Sequence, residues 1–212
     1  MRGWSATGDV PRRCSVHDVS HAGRDELKSA VDRQPPIEPG SDEASELQLH
    51  LARAQGDAFG AALEHMTLAV SDGGAERRVG DYWVGYAVER AEGMYEWVAG
   101  DLVWREPGET NSLVDITVRD AGDGRFIPSV RVHVKLIDPD GVEVGTHEHP
   151  LVWHPVLYHY GRNWELPRDG EYTMRVRVEP PTFSRHDRIN GKRCVEAAEC
   201  EFKPVKIVRG RG

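Results

Sequence analysis

From Met66 to the C-terminus, apolar and polar residues alternate with a period of two, the spacing of a strand with one buried and one wet face. The segments TLAVS, VGDYWVGYAVE, GMYEWVAGDLVWRE, SLVDITVRDA, FIPSVRVHVKLID, VEVGTHEH, YTMRVRVE and VEAAECEFKPVKIV all read as strands. In RVHVKLID, Val130, Val132, Val134 and Leu136 share one face, while Arg131, His133 and Lys135 share the other. Met174, Val176 and Val178 repeat the inward pattern. AGDGR, DPDG and PRDG supply the Asp and Gly that tight turns with positive φ require. Short antiparallel strands at roughly ten-residue spacing, with no helices between them, predict an all-β fold: a two-sheet antiparallel β-sandwich over residues 66–212. An up-and-down barrel is the alternative. No Cys–Trp–Cys spacing supports an antibody-type core.

Before Met66 the period changes. In DEASELQLHLARAQ, Leu47, Leu51 and Ala54 fall on one helical face, acids crowd the first turn, and Ser41 or Asp42 can cap. The spacing predicts a short helical segment over 41–65, ended or broken at Gly56, with Phe59 and Leu63 on a further turn or two. Residues 1–40 mix charge, Pro and Gly without periodicity and predict a disordered tail.

Composition narrows the function classes. The net charge of −8 argues against a nucleic-acid binder. No apolar run reaches the length of a membrane span, and the first residues lack the apolar stretch of a secretory leader, so the expectation is either a cytoplasmic protein or a chain whose start is not the natural export form. Three cysteines build no disulfide framework; Cys194 and Cys200 are expected to be reduced thiols. A nucleophile elbow, a phosphate loop, a zinc-protease helix and paired CxxC motifs are all absent. No nucleophile–base–orienter set is visible, so the chain is expected not to be an enzyme.

The chemistry concentrates in GTHEHPLVWHPVLYHYGRN, with His147, His149, His154 and His159. His147 and His149 are two apart, so an extended backbone turns both rings to one side. Pro150 and Pro155 stiffen the segment. His186 lies in a second unusual loop, FSRHDRINGK. Imidazole is the commonest metal-binding side chain, so these five residues are candidate ligands for a divalent transition metal: Cu, Fe or Zn. Trp153, Tyr158, Tyr160 and Trp164 form an aromatic band around them, expected to cover the open end of the sandwich.

RFIPSVRVHVKLIDPDGVEVGT, HYGRNWELPRDGEYTMRVRVE and FSRHDRINGKR, in that order, resemble the bacterial periplasmic Fe2+ transport protein family over about residues 113–208. The resemblance implies an Ig-like sandwich that binds copper or iron outside the cytoplasm and accompanies an iron permease. It places family ligands on His159, in HYG, and on His186, in RHD. A family methionine is replaced in His149-Pro150-Leu151, and a family histidine in Leu113-Val114-Asp115. Losing the thioether removes the soft ligand that favours Cu(I). His147, His149 or His154 could substitute, with Asp115 as a nearby carboxylate.

The expectation is thus a metal-binding protein of iron uptake, releasing its ion as imidazoles protonate near pH 5–6. Its partners would be an iron permease or another membrane transport component, with a homodimer as a candidate assembly. The rival is a metal-free Ig-like interaction module whose aromatic loop end contacts another protein.

Overall fold

A computed structural model describes residues 37–212, apart from residues 39 and 42. The tail expected over 1–40 therefore lies almost wholly outside the described residues. Helix α1 (Glu46–Ala69) is followed by eleven strands: β1 (Gly73–Val79), β2 (Tyr82–Glu89), β3 (Met94–Val98), β4 (Asp101–Arg105), β5 (Ser112–Asp120), β6 (Val132–Ile137), β7 (Glu143–His149), β8 (Leu151–Trp153), β9 (Tyr158–Trp164), β10 (Gly170–Val178) and β11 (Ala198–Ile207). A single 3-10 turn spans Asn190–Lys192. All strand pairs are antiparallel.

Two sheets make the sandwich. The first runs β1-β2-β5-β9-β8 and the second β11-β10-β6-β7, while β3 and β4 form a separate hairpin. Alternation decides what lies between the sheets. Val84, Val88, Val114, Ile116, Val118, Tyr160 and Trp164 come from the first, and Val132, Val134, Leu136, Met174, Val176, Val178 and Phe202 from the second. The inward sets expected for β6 and β10 are all buried. Tyr160 also ties the inner face to the loop before β6: its hydroxyl donates to the Ile127 carbonyl at 2.8 Å.

Three local expectations change. The helix starts later and runs longer than expected, capped by Ser45, whose side chain and that of Gln48 form a reciprocal capping box. Ser41 instead donates to Asp187 Oδ2 at 2.5 Å. Gly56 does not break the helix; it is buried where the helix meets the β5–β6 turn, and a Cβ there would lie 1.8 Å from the Asp123 carbonyl oxygen. Close backbone approach explains that glycine. The helix also absorbs Thr67–Ala69, and GGAERRV, which has no apolar alternation, forms β1 by pairing with β2. A tertiary partner supplied what the local pattern lacked.

Of the cysteines, Cys14 lies outside the described residues; Cys194 and Cys200 are free thiols. Among the described residues no helix is long and apolar enough to cross a membrane.

Candidate metal centre

Strand parity divides the histidines. On β7, His147 pairs with Val134 and His149 with Val132. Cross-strand partners share a face, so both histidines turn toward the interior, on one side as expected. They meet Trp164: the His147 ring lies 4.6 Å from the indole, and the indole Nε1 donates to His149 Nε2 at 3.2 Å. His149 is buried, and its desolvation pushes the imidazole down to about 3. Its Nε2 lone pair is already committed to the indole N–H. His147, more open, is also shifted down, by partial burial and then by the nearby Arg162.

His159 belongs to the other face. On β9, Tyr158, Tyr160 and Trp164 share one parity, while His159, Gly161 and Asn163 share the other. Register places Asp115 of β5 between Ala87 of β2 and Gly161 of β9, with Glu89 opposite Leu113 one row along. The outer surface of the first sheet thus carries Glu89, Asp115 and His159 together. His159 Nε2 lies 3.4 Å from Asp115 Oδ1, and the two side chains are only 9% and 13% exposed. The contact is close but not aligned as a hydrogen bond: Asp115 Oδ1 is buried with no donor.

Small neighbours make this slot. A Cβ on Gly161 would lie 2.5 Å from Asp115 Oδ1 and 3.2 Å from the His159 ring. The slot also has a charged rim. Burial first, then the Glu89 and Glu92 carboxylates, push the Asp115 carboxyl well above its usual range. Asn163 anchors the Glu92 segment, donating to the Glu92 carbonyl at 2.7 Å and accepting from the Glu92 N–H at 3.2 Å. His154 stands beside His159 with ring centres 6.3 Å apart. Burial, and next the charge of His154, bring His159 down to about 4. That is below the pH 5–6 window expected for imidazole-controlled release.

The five expected ligands therefore do not form one constellation. Among the described residues no three His, Cys, Asp or Glu side chains converge to hold an ion. The structure brings His159 and His154 together, places His147 and His149 around Trp164 on the opposite face, and leaves His186 exposed in the loop after β10. His186 lines a cavity of about 950 Å³ with Leu151, Val156 and Tyr158. On β9 it is thus Tyr158, not His159, that faces the same space as His186. The family positions that lack ligands are filled apolarly: Leu113 is buried beside the slot and Leu151 is exposed. The sequence pointed to Asp115, but Glu89 and Glu92 were missed. Their only signal was the end position of Glu89 on β2, which becomes informative once the β2–β5 register is known.

A carboxylate oxygen without a donor, beside a neutral imidazole in a slot that a methyl group would fill, suits a small cation. One imidazole and one carboxylate make a half-complete set that leaves further coordination positions for water or cargo.

Comparison with known proteins bears on the same segment. Residues 114–203, which include Asp115, His154, His159 and His186, match the family model for Fe2+ transport protein. Among solved structures, FetP of uropathogenic E. coli strain F11, recombinantly expressed in the periplasm, superposes with a TM-score of 0.53 at 17% identity, covering 64% of this chain and 93% of that one. The copper-reconstituted P19 protein of Campylobacter jejuni gives 0.55 at 13% identity, over 65% and 96%. A copper-bound variant of FetP gives 0.52 at 18% identity, over 63% and 95%. At such identities the likeness establishes the fold. No curated protein matches the chain. The resemblance carried by the strand and loop motifs is shown: residues 114–203 bear the pattern of Fe2+ transport proteins, on the β-sandwich that FetP and P19 share.

Proposed function

We propose that this protein binds a divalent transition metal on the outer face of its first sheet and serves iron uptake as a carrier outside the cytoplasm, without catalysing a reaction. The observation that carries the reading is the pair Asp115–His159: a buried carboxylate oxygen without a donor, 3.4 Å from an imidazole nitrogen. The family match over the same residues and the copper in FetP and P19 structures support it.

In this reading His159 supplies a neutral nitrogen lone pair, which burial keeps unprotonated near pH 7. Asp115 supplies the charge, and a cation stabilises the ionised carboxyl that burial alone disfavours. Glu89 and Glu92 draw cations toward the slot, and His154 is the nearest further imidazole. Nitrogen and oxygen donors without a thioether suit Cu(II), Fe(II) or Zn(II) rather than Cu(I). Transfer of the ion to or from an iron permease needs such an incomplete shell, because a fully enclosed site would hold its cargo. The reading drops His147, His149 and His186 from the ligand set.

The test is calorimetric titration of the full chain with Cu(II), Zn(II) and anaerobic Fe(II), comparing the wild type with Asp115→Asn and His159→Gln. Binding of one ion by the wild type and at least a tenfold loss in each variant is expected. Equal binding by all three proteins would remove the site, and no binding by the wild type would favour the metal-free module.

A further inference from the structure

The cavity beside His186 lies away from the Asp115–His159 slot and has a different chemistry. Helix α1, the loop between β5 and β6, the β8–β9 edge and the loop after β10 surround a space of about 950 Å³. Small-molecule sites usually fall between about 300 and 1,000 Å³. Leu49 and Phe59 reach it from α1, Phe126 from the β5–β6 loop, and Leu151, Val156 and Tyr158 from the β8–β9 edge. Phe126 stacks on Phe59 with ring centres 5.5 Å apart and on Tyr158 at 6.5 Å, so one wall is a continuous row of rings. Leu151, Val156 and Tyr158 nevertheless stay about half exposed. An apolar surface left open to water in this way marks a binding site.

The charge around the cavity is uneven. Arg193 pairs with Asp120, and Arg125 with Asp123 at 2.8 Å. Asp187 accepts from the Ser41 hydroxyl at 2.5 Å and from the Asn190 amide at 2.9 Å. Arg185 is treated differently. Its Nη2 donates to the carbonyls of Pro181 at 3.2 Å and Cys194 at 3.4 Å, and its guanidinium lies over the Phe183 ring at 5.5 Å. Those contacts fix its position without neutralising it, and among the described residues no carboxylate pairs with it. His186, Arg188 and Lys192 follow in the same loop. On a chain of net charge −8 this loop is a local reversal of sign.

We propose that this cavity binds an amphipathic monoanion, a small molecule with an apolar body and one carboxylate head. The body lies against the Phe59–Phe126–Tyr158 wall, and the head meets the Arg185 guanidinium. An apolar wall with one uncompensated cation selects such a ligand. An inorganic anion would gain nothing from the rings, and a cationic amphiphile would meet Arg185 with like charge. The inference is independent of the metal reading, because Tyr158 and His159 lie on opposite faces of β9.

Calorimetric titration of the full chain tests it, with a chelator present and with decanoate and decyltrimethylammonium as probes below their micelle concentrations. The wild type is expected to bind one decanoate, at least about tenfold more tightly than the cation, although the net charge of the chain favours the cation. Arg185→Gln should weaken decanoate about tenfold and leave the cation unchanged. Arg185→Lys keeps the charge and decides the case in which Arg185→Gln fails to fold: it should still prefer decanoate. Ala58→Trp fills the cavity from an exposed position on α1 and should weaken both probes. No binding of decanoate by the wild type overturns the proposal. So does equal binding of the two probes by the wild type or by Arg185→Lys, a folded Arg185→Gln protein that keeps the wild-type preference, or an Ala58→Trp protein that binds as the wild type does.

Discussion

Two histidine groups lie within thirteen residues of one another, and they do opposite things. His147 and His149 end β7 with their rings inward, against the Trp164 indole. His159 lies on β9 with its ring outward, against a carboxylate that has no donor. Both groups contain a buried imidazole held neutral by desolvation. In the first, the indole N–H occupies His149 Nε2, the ring fills a core, and only its Nδ1 is left without a partner; in the second, a buried Asp115 oxygen beside His159 lacks a donor. Histidine density is therefore a poor guide to a ligand set. The informative quantity is what each ring's neighbours lack.

The largest expected effect lies on the inner group. Trp164→Ala removes the ring on which both inner histidines depend and should cost about 3–5 kcal/mol in denaturant unfolding. Metal binding by the folded fraction should survive. Loss of binding in proportion to loss of the indole would mean that the two groups are not separate.

Gly161→Ala breaks the contrast from the outer side. The added methyl group would sit 2.5 Å from Asp115 Oδ1, so overpacking should cost about 1–3 kcal/mol. Titration with Cu(II) should show binding lost even in protein that remains folded. A variant that binds like the wild type would show that the slot is not the site.

Acid titration sharpens the comparison further. His149 has a folded value of about 3 against 6.5 for the free side chain. Between those limits the unfolded chain holds a proton that the folded chain does not, so stability falls as pH falls. The slope approaches about 1.4 kcal/mol per pH unit for one such proton. His159, lowered to about 4, acts in the same direction. Asp115, raised, acts in the opposite one: its stabilising contribution is present at low pH and lost as pH rises through its folded value. His149→Gln, which keeps an acceptor for the indole, should flatten the acid limb measured by chemical denaturation at stepped pH. An unchanged slope would remove His149 as its source.

The smallest effect is expected at His186. The side chain is exposed and lies away from the slot, so His186→Ala should change stability by less than about 0.5 kcal/mol. Metal affinity should not move. A clear loss of affinity would return the RHD loop to the ligand set.

Much of this architecture was legible before any coordinates. Val132, Val134 and Leu136 announced an inward face by alternation, and Asp-Gly turns announced the hairpins, because both signals are local. The pairing of Trp104 with Tyr95 in a free hairpin was hidden, since GMYEWVAGDLVWRE reads as one long strand until its turn is placed. Gly56 misled for the same reason: a glycine in a helix looks like a break unless the backbone pressed against it is known. At the site, His159 stood out by chemistry and family pattern. Its relation to Asp115, its distance from His147 and His149, and the outward exposure of His186 did not.

By itself the sequence determined the strand periods, the turns, the family pattern over residues 114–203 and the identity of the chemically active side chains. Tertiary structure alone decided which of those side chains meet. Parity places a residue on one of two faces, but only strand order and register determine which residues from distant strands share that face. Asp115 and His159 are neighbours because β5 pairs with β9 and because Gly161 leaves room between them.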